Sequence, residues 1–159
     1  MSPKGTKHSS GNSRANRYFM KLFGDQVIVR IQDPIHLDDL SEPEPDVVLA
    51  ALADDEYDYH HPTPEEIYLV VEVSDSSLDY DRDEKSALYA QAGIRQYCIL
   101  NLRERELEDY RQPGAKGYRS KQTYTAEQSF TLAAFPNVVV EVGTLLPKPG
   151  KAKTPRKRR

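Results

Sequence analysis

The chain contains no tryptophan and a single cysteine, Cys98, among its 159 residues. One cysteine excludes an intrachain disulfide and offers no thiolate cluster for zinc, a usage that fits a reducing cytoplasm better than secretion. Without tryptophan there is no broad aromatic platform for a sugar, which argues against a glycosidase built on two carboxylates. Long apolar runs are also lacking. No stretch approaches the roughly 20 residues of a membrane helix, and the polar residues 1–13 lack the apolar core of a signal peptide. The length suits one domain with its own core and is too short for two comfortable ones.

Acidic residues are absent from both ends. Of the 22 Lys and Arg, five lie in residues 1–22 and seven in residues 148–159, and neither segment holds an acid. The remaining ten face all 25 acidic residues, so the body carries a charge near −15 although the formal net charge is only −3. An acidic body repels a phosphate backbone unless cations intervene, whereas basic ends attract it. Residues 148–159 are expected to form a disordered basic tail, and residues 1–147 the folded domain.

Apolar residues at Ala15, Tyr18, Phe19, Leu22 and Phe23 have the spacing of one helix face, predicting a helix over residues 12–23 that stops at Gly24. Strands are expected over residues 26–31, 47–52 and 67–73, with acidic, proline-containing loops between them. Asp81 followed three residues later by Glu84 reads as a capping box, which starts a helix over residues 82–92 that ends at Gly93. Further strands are expected over residues 96–100, 106–111, 118–125 and 137–142, with a turn at 114–117 and a short terminal turn at 143–146. Several strands around one good central helix indicate an α/β domain with a mixed sheet.

The chemistry centres on Glu72, a carboxylate inside the run Ile67-Tyr68-Leu69-Val70-Val71-Glu72-Val73. An ionised carboxylate in a strand apolar on both faces costs several kcal/mol unless a cation, a metal or hydrogen bonds compensate it. Lys85 shares a helix face with Leu88, Tyr89 and Ala92, so the apolar members of that face turn its ammonium toward the sheet. Upstream, Pro45-Asp46 leads the strand that begins at Val47. Two carboxylates on adjacent strands can hold Mg²⁺ or Mn²⁺, hard ions that take oxygen ligands. With a nearby ammonium to stabilise transition-state charge or orient the attacking water, these are the parts of a metal-dependent phosphodiesterase.

The same residues carry a family resemblance. Pro45-Asp46, Val71-Glu72-Val73-Ser74, Tyr80-Asp81-Arg82 with Lys85 and Tyr89, and Ala92-Gly93-Ile94 with Gln96-Tyr97 resemble the Uma-two family of bacterial endonucleases. That family belongs to the PD-(D/E)XK restriction endonuclease-like superfamily, and the likeness covers residues 7–146. It implies a restriction endonuclease-like fold, a mixed β-sheet with flanking helices, and cleavage of DNA. Asp46 and Glu72 would be metal ligands, the carbonyl of Val73 a third, and Lys85 a catalytic lysine moved from strand to helix. Ser74 occupies the position where the wider superfamily motif places that lysine, and Asp81 is shared with the family; both are secondary site positions.

Three further residues are assigned structural roles. Cys98, where the family often has tryptophan, is a packing change. Tyr89 belongs to the core. His8, which matches a histidine frequent in the family, is read as solvated at a frayed terminus. Family members carry a helix and strands ahead of the part resembling residues 7–22. The chain is therefore expected to start inside its domain, leaving the inner face of the Ala15, Tyr18, Phe19 and Leu22 helix and one side of strand 26–31 uncovered.

The sequence thus points to a Mg²⁺- or Mn²⁺-dependent DNA endonuclease. The alternative is a non-catalytic or degenerate DNA-associated module that retains the fold. A homodimer is compatible with cutting two strands, and no membrane association is expected.

Overall fold

The computed structural model describes residues 5–150, so the greater part of the expected basic tail lies outside the described residues. Helix α1 (Thr6–Phe23) begins well before the expected Asn12. Its buried line is Gly11, Asn12, Ala15, Phe19 and Phe23. The first members of that line are a glycine and an amide, which hydrophobic periodicity cannot see. Gly24 ends the helix at φ 49°, and its N–H donates to the Met20 carbonyl, a backbone shape that glycine adopts without a Cβ clash.

A 3₁₀ turn (Gly24–Gln26) takes up the start of the expected strand, so β1 covers only Ile28–Ile31. The other strands are β2 (Val47–Ala50), β3 (Ile67–Ser74), β4 (Gln96–Asn101), β5 (Glu106–Gly114) and β6 (Gly117–Thr125). They form one sheet in the order β1-β2-β3-β4-β5-β6, with only β3 and β4 running parallel. A short pair, β7 (Ser129–Thr131) and β8 (Val139–Glu141), lies apart from this sheet, and α4 (Val142–Leu145) follows directly. The expected strand over residues 137–142 is thus shorter and gives way to a helical turn. Its partner β7 was not anticipated, because three residues carry too little alternation to register.

The two sheet faces hold separate cores. Val47, Leu49, Leu69, Val71 and Val73 face α1, α4 and the β7–β8 pair, whereas Val48, Val70, Tyr97 and Ile99 face Tyr89 and Ile94. This is the period-2 alternation of a strand buried on both sides, and within β3 only Tyr68 escapes full burial.

Contrary to expectation, the α1 face is covered. Ala15 and Phe19 are wholly buried, Tyr18 and Leu22 pack against the same core, and Val29 and Ile31 of β1 join them. The Phe135 ring lies tilted against that of Phe23, with centroids 5.1 Å apart, so the segment after β7 supplies part of the cover.

The central helix also departs from its expected form. It opens with the α-turn α2 (Leu78–Tyr80), widens into a π-turn over Asp81–Lys85, and continues as α3 (Ser86–Ala92) to Gly93 at φ 83°. Asp81 is therefore inside the helix and does not cap it. The capping box that does form is Thr63 with Glu66, at a 3₁₀ turn (Pro64–Glu66) leading into β3.

α1 crosses β3 closely enough that a Cβ on Gly11 would lie 2.7 Å from Val73 Cγ1. Val73 is β-branched and sits on a buried strand, so it cannot swing away. Gly11→Ala should destabilise the protein by about 1–3 kcal/mol, read as a lower urea midpoint with unchanged slope. An unchanged midpoint would mean that helix and sheet separate freely.

Candidate active site

Glu72 is 1% exposed. Its face of β3 lies under α3, and two groups from the helical segment meet its carboxylate. Lys85 Nζ lies 3.0 Å from Oε2, and the Tyr89 hydroxyl donates to Oε1 at 2.8 Å. The lysine side chain also lies 3.3 Å from Asp81 Oδ1. Ser77 Oγ donates to the other Asp81 oxygen at 2.7 Å, and the Tyr97 hydroxyl donates to the Asp81 carbonyl at 2.9 Å.

The π-turn is what brings these groups together. Ser86 N–H reaches back five residues to the Asp81 carbonyl, and such single wide turns recur at functional sites. Arg82 pins the turn to β5 through Glu108, at 2.9 Å from Oε1.

Asp46 immediately precedes Val47, whose antiparallel partner is Val71, so the register sets Asp46 beside Glu72. Its Oδ2 accepts the Val73 N–H at 2.8 Å and the His8 Nε2–H at 3.0 Å, and Asn12 Nδ2 lies 3.4 Å from Oδ1. The side chain thus replaces the main-chain partner that Val73 lacks beyond the end of β2. The Ser74 carbonyl accepts Leu102 N–H on the β4 side, so by strand alternation the main chain of Val73 faces Asp46. Ser74 itself is buried, and its Oγ has no hydrogen-bond partner among the described residues.

Burial is the largest influence on Glu72 and pushes its carboxyl up to about 8; Lys85 pulls the other way and Asp46 reinforces the rise. Burial alone would lower the Lys85 ammonium, but the Glu72 and Asp81 carboxylates outweigh it and hold it above its usual value. Lysine therefore stays charged while Glu72 is poised between its two forms, because burial outweighs the pull of the single ammonium beside it.

The residue assignments fare unequally. Lys85 reaches Glu72 as the helix face predicted. Asp81 is no cap; its carboxylate joins the Lys85 cluster. Tyr89 is fully buried, as expected of a core residue, yet its hydroxyl also holds Glu72. His8 is not a solvated terminal residue, since α1 already includes it and packs it against Asp46. Asn12 was not singled out. Its only sequence signal is a polar residue in line with Ala15 and Phe19, which reads as a break in the stripe unless the partner is known.

The Uma2 family model, described as "Putative restriction endonuclease", matches residues 1–143. The chain belongs to the Uma2 family. A similar solved structure is that of "a putative nuclease belonging to DUF820" from Anabaena variabilis, with a TM-score of 0.70 at 13% identity, covering 91% of this chain and 82% of that one. At that identity the likeness concerns the fold, and it bears out the mixed sheet with flanking helices. No curated protein matches the sequence. No helix among the described residues is long and apolar enough to cross a membrane.

In this Uma2 chain the donor set suits a hard divalent ion: carboxylate oxygens of Asp46 and Glu72, with a main-chain carbonyl at Val73 on the same edge. Two buried carboxylates, Glu72 and Asp81, share the one Lys85 ammonium, and an added cation would favour the ionised form of Glu72, which supports that fit. His8 Nδ1 and Asn12 Oδ1 are likewise buried without a partner among the described residues. The same residues, however, contain no group of three or more His, Cys, Asp or Glu side chains placed to hold a metal. Any ion must therefore rest on two carboxylates and on oxygens from main chain or water.

Tyr89→Phe should isolate the hydroxyl's contribution. That bond favours the ionised form of Glu72, so its loss should move the acidic limb of any activity profile to higher pH while leaving the ring packing intact. The expected loss at neutral pH is about tenfold, that of a residue one bond removed from the reacting groups. A profile that does not move would make the hydroxyl purely structural.

Proposed function

We propose that this chain is a nuclease, more specifically a metal-dependent endonuclease that hydrolyses phosphodiester bonds in DNA. The observation that carries the reading is the buried Glu72 carboxylate with Lys85 Nζ 3.0 Å away and Asp46 on the neighbouring strand. The family description supports the nuclease class.

Asp46 and Glu72, with the Val73 carbonyl, would hold Mg²⁺ or Mn²⁺. When bound, such an ion polarises a phosphoryl oxygen and acidifies a water. Lys85 contributes a fixed positive charge at the rim, since its side chain is 28% exposed while both of its carboxylate partners are buried. A phosphate entering there meets an ammonium held by Glu72 and Asp81, which can stabilise charge developing on the phosphoryl group or orient the attacking water. Tyr89 and Ser77 keep the two carboxylates aimed at the ammonium, so little reorganisation is needed when substrate arrives. His8 and Asn12 hold the Asp46 carboxylate in place from α1.

The test is nicking of supercoiled plasmid by the purified chain with Mg²⁺ or Mn²⁺, abolished by chelator. Absence of cleavage with either ion on any DNA would favour a second reading, a DNA-associated module without catalysis. The lack of a three-ligand metal group among the described residues is the observation on that side.

A further inference from the structure

Helix α1 carries Lys7, Arg14, Arg17 and Lys21 and no Asp or Glu. Arg14, Arg17 and Lys21 follow the i, i+3, i+7 spacing of one helix face. They line a groove of about 580 Å³ together with Tyr18, Lys148 and Glu141. Arg14 and Arg17 also line a second depression of about 380 Å³ with Ser9, Ser10 and Ser13, so a continuous basic, hydroxyl-bearing track runs along the outer side of α1.

None of these cations has an ion-pair partner among the described residues, although the body of the protein is strongly acidic. Arg14 Nη1 is buried and lacks any hydrogen-bond partner among the described residues. Burial first, and then repulsion from Arg17, lower its affinity for its proton. Two guanidiniums that line one groove, repel each other and have no ion pair among the described residues are an arrangement that an anion relieves.

We infer that the groove between α1 and α4 is a binding track for the phosphate backbone of nucleic acid. This rests on, and extends, the nuclease reading of the Asp46–Glu72–Lys85 site. The dimensions agree: Arg14 to Lys21 spans roughly 10 Å of helix, the axial length over which one DNA strand presents about three phosphates. The position also agrees, because the same helix delivers His8 and Asn12 to Asp46 from its inner side. A duplex lying along α1 is thereby led to the carboxylates, while the acidic remainder of the surface repels it elsewhere. Arginine forks suit phosphate, and contacts of this kind set position without reading sequence.

The experiment measures binding of a fluorescent duplex of arbitrary sequence, in chelator so that nothing is cut, across about 50 to 200 mM salt. The full chain should bind with a steep salt dependence. Arg14→Gln/Arg17→Gln/Lys21→Gln should bind at least about tenfold more weakly at low salt, alike for every duplex, with the log–log slope reduced by about 2 to 3. Arg17→Gln/Lys21→Gln, which changes only exposed side chains, should lose a slope of about 2 even if the triple variant folds poorly. Unchanged slope and affinity in these variants, or failure of the full chain to bind any duplex, would overturn the track. So would equal affinity for poly-glutamate of matched charge, which would indicate an acidic protein partner. Groove-dependent binding by a chain that cuts nothing with Mg²⁺ or Mn²⁺ would instead sink the nuclease reading and leave the track standing.

Discussion

Glu72→Gln is expected to remove metal-dependent DNA cleavage almost completely, a loss on the order of 10³-fold or more, while the protein still folds. The substitution keeps the shape of the side chain and an oxygen for the Tyr89 hydroxyl, but deletes the charge that the proposed ion and Lys85 both need. Several kcal/mol of transition-state stabilisation depend on such an ion, and each 1.4 kcal/mol is about tenfold in rate. Plasmid nicking by the wild-type and variant chains at equal concentration reads this directly. Retention of cleavage within a few-fold would eliminate Glu72 as a ligand. Asp46→Asn should behave alike, although it also weakens the bond to Val73 N–H that closes the end of β2.

The same variant has a second readout in stability. Because burial raises the Glu72 carboxyl from 4.5 to about 8, the folded chain holds this proton more tightly than the unfolded one. Its stabilising contribution is therefore fully present below about 4.5 and is lost as pH rises to about 8. Metal-free wild-type protein should lose thermal stability across that window, with Glu72→Gln showing a shallower decline. Above pH 8 the variant should be more stable than the wild type, by on the order of a few kcal/mol, since it buries no ionised carboxylate. At pH 8, adding Mg²⁺ or Mn²⁺ should raise the wild-type melting temperature and leave the variant unmoved. Parallel pH profiles for the two proteins would show that Lys85 alone neutralises Glu72.

Lys85→Ala is expected to lower turnover by about 10²- to 10³-fold without weakening metal binding. Removing the ammonium leaves Glu72 and Asp81 without their shared cation, and the Glu72 proton affinity rises further. Above that titration, the uncompensated carboxylates should attract the ion as well as before or slightly better. Calorimetric titration with Mn²⁺ at alkaline pH, beside single-turnover cleavage, separates the two effects. Equal loss of affinity and turnover would make Lys85 a scaffold for Glu72; unchanged turnover would remove it from the chemistry. Some loss of stability is also expected, since a buried pair broken on one side leaves the other charge unpaired.

What the local pattern made legible was the part of the site whose partners share one short stretch of chain. Glu72 stands out because an acid in Val70-Val71-Glu72-Val73 has no local explanation, and Lys85 because Leu88 and Tyr89 declare which way its helix face turns. Asp46 gains meaning only beside Glu72, as a second acid leading a neighbouring strand. The family resemblance narrowed the expected mixed sheet to a restriction endonuclease-like one, with which the six-stranded mixed sheet agrees.

Legibility failed where polar residues replace apolar ones on an inward face. Gly11 and Asn12 continue the Ala15–Phe19–Phe23 line, but a search for apolar periodicity stops at the first polar member, so the beginning of α1 and the placement of His8 were lost together. At Asp81 the failure was of another kind. An acid followed by Glu84 three residues on fits a cap, and nothing local distinguishes a cap from a π-turn whose extra residue is tolerated because Tyr97, Arg82 and Ser77 hold it from outside.

By itself, then, the sequence determined the buried strand, its anomalous carboxylate, the lysine aimed at it and the segregation of charge to the ends, since each of these is written in the spacing or composition of single short segments. Only the tertiary structure decided that Asp46 bonds Val73, His8 and Asn12, that Asp81 joins Lys85, and that Arg14, Arg17 and Lys21 line a groove with Lys148. Most of those pairings join residues far apart in the chain, and the one that does not, Asp81 with Lys85 four residues on, depends on a π-turn held from outside by Tyr97 and Glu108. The geometry exists only once α1 has packed across the sheet and the helix after β3 has closed over Glu72.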